Sequence, residues 1–161
     1  SIGRVLDAFS ALLKICTKRT YEGEPAIRLE AVADEGEKVL EYDVRIDFAD
    51  GRAVLDVQDM LLWALNAINI YRKEDIALTI LKSLGRGLGL LSLKALKGLR
   101  NVSQYVVVSG GAAVNTYIIQ GIKEVLGEEG IGLLIPKKVP PGDGGIALGQ
   151  ILIASQVIED G

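Results

Sequence analysis

No histidine occurs anywhere in the chain. Its absence removes every mechanism in which an imidazole of this polypeptide acts as general base or metal ligand. The single cysteine, Cys16, cannot close an internal disulfide. There is no run of eighteen apolar residues and no leader-like opening, so the expectation is a soluble, cytoplasmic protein with no membrane partner. Cationic excess is missing too. Lys and Arg number 18 against 21 Asp and Glu, a formal net charge of -3, and no nucleic-acid partner is expected from that balance. Aromatic residues make up only 5% against 49% apolar, so the core must be packed by Leu, Ile, Val and Ala.

What the chain does hold is glycine, 19 residues of it, over a length that buries a proper core. No repeat, low-complexity tract or linker divides it, and residues 1–161 read as a single domain. It opens at Ser1 directly inside an amphipathic helix, SIGRVLDAFSALLKIC, which reads as a piece of something longer. Cys16 falls on that helix's apolar side and reads as a small core residue. A second helix opens at Pro25, where the missing amide costs nothing, and stops near Gly36.

The period then changes. Leu40, Tyr42, Val44, Ile46 and Phe48 alternate with charged residues as a half-buried strand, and Asp50 and Gly51 turn it into a second, shorter one. Asp56 caps a helix carrying Met60, Leu61, Trp63 and Ala64. Residues 74 to about 99 form a long helical stretch that Gly85, Gly87 and Gly89 should bend or break. The last third reads strand (QYVVV), loop, helix, strand (IGLLIP), loop, helix, and the apolar run of IGLLIP fits a parallel strand buried on both faces. The fold class expected is α/β, a mixed sheet flanked by helices.

Two loops stand at the carboxyl ends of those last strands, the edge where open α/β sheets bind ligands. The first is SGGAAVN. Ser109, Gly110 and Gly111 can present backbone donors to an anion at a helix start, and Asn115, about one turn in, offers an amide to a sugar or phosphate. The alternative is a tight strand-to-helix turn with Asn115 solvated. The second loop is PPGDGG. Asp143 either caps the last helix or serves as a ligand whose companions lie elsewhere, because a transition-metal site wants three or four. Lys137 and Lys138 read as solvated loop charges.

GRVLDAFSALLKIC, YEGEPAIRLEAVA, VVVSGGAAVN and VPPGDGGIALGQILIA, in this order and spacing, resemble the C-terminal half of the carbamoyltransferase domain of the HypF family, which matures nickel-iron hydrogenases. In looser form the framework is similar to the tRNA threonylcarbamoyl transferases and the O-carbamoyltransferases. The resemblance implies one ribonuclease-H-like lobe of an actin-like ATPase fold. It implies carbamoyl transfer from carbamoyl-adenylate, made with ATP, to the C-terminal cysteine of a HypE-like acceptor. It implies nucleotide contacts at Gly3, Asp7 and Asn115, and Asp143 as a ligand of one iron or zinc ion completed by two histidines from the absent N-terminal remainder of the parent domain. No residue of this chain is expected to act as a catalytic acid, base or nucleophile. Without the resemblance, Asp7 reads as a partner of Arg4 one turn away. DIALTILKSLGRG lacks the Phe-His pair frequent in hydrogenase-maturation relatives.

A second class of function stays open: a non-catalytic module that binds nucleotide weakly or not at all and docks a partner. Threonylcarbamoyl transfer to tRNA is a third, disfavoured by PPGDGG and by the lack of a basic patch.

Overall fold

Leu6, Phe9 and Leu13 recur at helical spacing, and in the computed structural model, which describes residues 1–98 and 104–159, they line the buried face of α1 (Ile2–Leu12) and its end. Cys16, one turn on, is buried as expected. α2 (Glu24–Ala33) lies beside α1 and adds Leu29 and Ala33 to the same core. Its entry turn is fixed by Gly23 at φ +80 and by the buried Glu24 carboxylate. That carboxylate accepts from the Thr20 amide and hydroxyl and pairs with Arg28 at 2.7 Å.

The alternation from residue 40 to 46 survives in burial but not in pairing. Only β1 (Ile46–Ala49) is laddered, antiparallel to β2 (Arg52–Leu55) through the turn at Asp50 and Gly51. Upstream, residues 37–40 take their hydrogen bonds from side chains of α4 (Lys73–Lys97). Glu37 and Lys38 amides donate to Asp75 Oδ1 at 2.8 and 3.2 Å, and the Leu40 amide donates to Thr79 Oγ1 at 2.8 Å. An extended segment thus hangs on a helix, satisfying donors that a strand neighbour would otherwise take. Asp56 caps α3 (Val57–Ala67) as expected, accepting from the Asp59 amide at 2.9 Å.

α4 corrects a second expectation. It runs unbroken for 25 residues, and its three glycines are contact points. A Cβ on Gly85 would lie 2.2 Å from the Ile118 carbonyl oxygen, and one on Gly121 would lie 2.2 Å from the Lys82 carbonyl oxygen. Gly87 faces Leu55 and Gly89 faces Val125. α4 and α5 (Thr116–Glu128) therefore meet backbone to backbone, the closeness that small residues permit. Around the crossing Ile80, Leu81, Leu84, Ile118, Ile122 and Leu126 are almost fully buried, each contributing about 1.5–3 kcal/mol. α4 has the length and mean hydropathy (1.4) of a membrane span, but 61% of that window is buried inside the protein, as in a core helix. Its expected end at Leu99 lies outside the described residues.

β3 (Tyr105–Val107) and β4 (Gly132–Leu134) pair in parallel, Val106 opposite Leu133, with α5 as the crossover. The expected single mixed sheet is not formed among the described residues; there are two separate two-stranded sheets. β4 is also not buried on both faces, since Leu134 is 48% exposed. α6 (Ile146–Glu159) ends the described chain.

Candidate functional site

The two glycine-bearing loops meet at the carboxyl end of the parallel pair. β3 runs on through Val108, whose amide donates to the Leu134 carbonyl at 3.0 Å, and then turns sharply. Gly110 sits at φ +98 and ψ 171, backbone essentially restricted to glycine. Its amide donates to the Pro141 carbonyl at 2.6 Å, and the Ser109 hydroxyl donates to the same oxygen at 3.1 Å. On the other side, a Cβ on Gly142 would lie 3.7 Å from Gly111 Cα, so the loops pack glycine against glycine. The stiff Pro140 and Pro141 approach holds the second loop against the first.

Past Gly110 the chain makes a short 3-10 turn, Gly111–Val114, anchored by buried Ala113. Asn115 is the N-cap of α5 and not a residue one turn inside it. It is 4% exposed, and its Oδ1 accepts from the Ile118 amide at 3.0 Å. The oxygen is thus spent on the cap, and Nδ2 is the end of the side chain left for a ligand. Gly111 and Ala112, first in their turn, carry amides outside its internal ladder.

α1 makes contact with the Gly111–Val114 turn. Gly3 is exposed with open space where a Cβ would go. Asp7 is half-buried at a cavity of about 330 Å³ whose lining includes Cys16, Thr17, Arg19 and Pro25. It forms no ion pair with Arg4, so the local-pair reading of this carboxylate is not realised. A groove of about 400 Å³ opens between α4 and β3 beside Ser109.

Asp143 is the first residue of the 3-10 turn Asp143–Gly145, is exposed, and makes no capping hydrogen bond into the helix that follows. Among the described residues no group of three or more His, Cys, Asp or Glu is placed to hold a metal ion. A lone exposed carboxylate does not make up a metal site by itself. Lys137 and Lys138 are exposed.

Two contributors were not foreseen. Glu30 of α2 accepts from the Thr116 amide at 2.7 Å, and Asp34 accepts from the Tyr117 hydroxyl at 2.7 Å. The only sequence signal was their i, i+4 spacing on one face of α2, and nothing in one sequence told which element that face would meet.

Residues 1–150 match the family described as carbamoyltransferase, Kae1-like domain, second subdomain. The chain belongs to this family. The probable carbamoyltransferase HypF of Methanocaldococcus jannaschii is 34% identical over 153 residues, covering 93% of this chain and 19% of that protein. The carbamoyltransferase HypF of Rhodobacter capsulatus is 29% identical, over 99% of this chain and 20% of the relative. Among solved structures, HypF of T. kodakarensis superposes with a TM-score of 0.80 at 32% identity, over 99% of this chain and 20% of that one. A full-length HypF in a phosphate- and nucleotide-bound form gives a TM-score of 0.74 at 29% identity, covering 99% of this chain and 21% of that one. The HypF-type second subdomain described here thus spans about a fifth of the proteins it resembles.

Proposed function

We propose that the chain is one lobe of a HypF-type carbamoyltransferase, built on the ribonuclease-H-like, actin-like plan and working in the cytoplasm. It grips the phosphate end of ATP or carbamoyl-adenylate while the rest of the parent protein closes over it. The observation that carries this reading is the union of the two glycine loops, Gly110 amide on Pro141 carbonyl and Gly111 against Gly142, at the carboxyl end of the parallel strand pair. A relative crystallised with phosphate and nucleotide supports a nucleotide here.

In the reaction, the thiol sulfur at the C-terminus of a HypE-like acceptor forms a bond to the carbamoyl carbon. The bond from that carbon to the adenylate phosphate oxygen breaks, and AMP leaves with the electron pair. The thiol proton passes to solvent. Such a transfer needs the leaving phosphate held and its charge matched, which amides at Gly111 and Ala112 and the Asn115 Nδ2 can do without an acid or base of their own. Gly3 leaves room for close approach, and Asp7 faces the sugar. Asp143 would supply one ligand to an iron or zinc ion whose other ligands come from outside this chain.

One observation favours the docking-module alternative. The Ser109 hydroxyl, the Gly110 amide and the Thr116 amide are already engaged within the chain. Calorimetric titration of ATP into this chain mixed with the upstream part of its parent decides between them. Asn115→Asp is the informative variant because it keeps the capping oxygen and removes only the amide donor. The carbamoyltransferase reading expects binding by the wild type and its loss in Asn115→Asp with an unchanged unfolding midpoint. Equal binding by both proteins, or none by the wild type, defeats it.

A further inference from the structure

The amino end of α5 is held from outside by two carboxylates one turn apart, Glu30 on α2 and Asp34 at its carboxyl-terminal cap. Thr116 is the first residue of α5, so its amide has no intrahelical acceptor, and Glu30 Oε1 takes it at 2.7 Å. The negative charge also sits where the helix dipole favours it. Asp34, the αR cap of α2 four residues on from Glu30, takes the Tyr117 hydroxyl at 2.7 Å. Successive residues of α5 are therefore gripped by successive turns of α2, across 86 and 83 residues of sequence. Immediately upstream of the gripped pair stand Asn115 and the Gly111–Val114 turn.

We infer that Glu30 and Asp34 are positioning residues for the glycine turn: they fix the start of α5 against α2, and so fix where Asn115 and the Gly111 and Ala112 amides meet the ligand. This inference rests on the nucleotide reading above. Both hydrogen bonds are exposed to solvent, so they stabilise the fold little. Their effect falls on position, to which a site of this kind is sensitive at the level of about 1 Å. No other side-chain hydrogen bond joins α2 to the start of α5 among the described residues. Other anchors of the turn are the buried Ala113 and Asn115, the contact with α1 and, at its entry, the Gly110 amide on the Pro141 carbonyl and Gly111 packed on Gly142.

The experiment has two readouts on the chain mixed with its upstream part: amide hydrogen exchange, and ATP affinity by calorimetry. In the double variant Glu30→Ala with Asp34→Ala, amides from Gly111 to Thr116 should exchange at least about tenfold faster while those of the α5 interior do not change. ATP affinity should fall at least about tenfold, with the thermal midpoint lowered by only a few degrees. Glu30→Gln with Asp34→Asn, which keeps an acceptor oxygen at each place, should restore most of both. Unchanged local exchange overturns the inference and leaves the nucleotide reading standing if the wild type still binds. Faster exchange with unchanged affinity overturns it as well. A wild type that binds no ATP defeats the nucleotide reading, and the inference falls with it.

Discussion

A methyl group placed on Gly85 tests the packing that organises the whole chain. It would sit 2.2 Å from the Ile118 carbonyl oxygen, 2.9 Å from the Ile118 carbonyl carbon and 3.0 Å from Gly121 Cα. Ordinary contact is about 3.5–4.0 Å, so the deficit is over 1 Å, and every partner is backbone that cannot rotate away. α4 and α5 must then separate along their crossing, loosening Ile118, Ile122, Leu81 and Leu84. Overpacking a well-filled core costs about 1–3 kcal/mol, and a backbone clash belongs at the upper end. Against this, Ala is the better helix former by about 1 kcal/mol. The expected net effect is a destabilisation of about 2 kcal/mol, or a thermal midpoint lowered by about 4–8 °C in a chain of this size. Gly121→Ala should behave alike, and the double variant should cost less than the sum because one separation relieves both clashes. Gly127→Ala, with nothing within 4 Å, is the control and should not destabilise. Urea and thermal unfolding measure all four. If Gly85→Ala unfolds at or above the wild-type midpoint, the helices do not meet backbone to backbone and the reasoning is wrong.

The remaining expectations concern charge and surface. Three carboxylates are held below the ordinary range. For Glu24 the Thr20 amide is the main cause. Burial works against Asp75, but the Glu37 and Lys38 amides outweigh it. Burial likewise works against Glu124, and there Lys82 and Arg86 prevail. A depressed carboxylate contributes stability that is complete above its unfolded value of about 4 and is lost as pH falls through the folded value. Urea midpoints should therefore drop between pH 5 and pH 2, roughly the window these carboxylates set, and less steeply in Asp75→Asn; a midpoint that rises in acid contradicts this. The Tyr117 hydroxyl is pushed up to about 12 by its hydrogen bond to Asp34, so that contribution is complete below about 10 and lost as pH rises through the folded value. Near-ultraviolet titration should show this late phase move to lower pH in Asp34→Asn. Gly3→Ala should leave stability unchanged or raise it by up to about 1 kcal/mol while abolishing ATP binding, and unaltered binding would remove Gly3 from the site. Ile151→Asp on α6, a position 64% exposed, should shift unfolding by no more than about 0.5 kcal/mol yet block co-elution with the upstream part of the parent. Loss of the chain's own fold would show instead that α6 packs internally.

The order of elements was legible because each boundary has a local cause. Pro25 and Gly23 set the entry to α2, Asp56 caps α3, and the glycines after Val108 end β3. The meeting of the two glycine loops was legible by a longer route: two loops after neighbouring parallel strands must leave from the same edge. What one sequence did not reveal was the partner of each group. Gly85, Gly87 and Gly89 looked like weaknesses of a helix because propensity is a local quantity, whereas their neighbours Ile118, Leu55 and Val125 come from other elements. Residues 40–45 carried a strand's alternation, yet alternation reports only that one side is buried. That side met helices and not a neighbouring strand: Thr79 of α4 took the Leu40 amide, and Tyr42 packed on Trp63 of α3 with its hydroxyl on Asp59. Asn115 was assigned a ligand role and turned out to divide its amide group, with the oxygen on the cap and the nitrogen left over.

α6 shows where such reasoning meets the limits of a single chain. Ile146, Leu148, Ile151, Leu152 and Ile153 point around the helix, and all are between 43% and 67% exposed. A helix apolar on every side belongs in an interior, and the described residues provide none for it. The relatives are about five times as long, and α6 begins directly at the Asp143 turn, which packs against the proposed nucleotide loop. If the chain is one lobe as proposed, the covering surface and the other half of the ligand site have the same source. On the proposed reading, docking α6 onto the rest of the parent would bring the opposing wall of the cleft to Ser109, Asn115 and Asp143, so that burial of the helix and completion of the site would be one event.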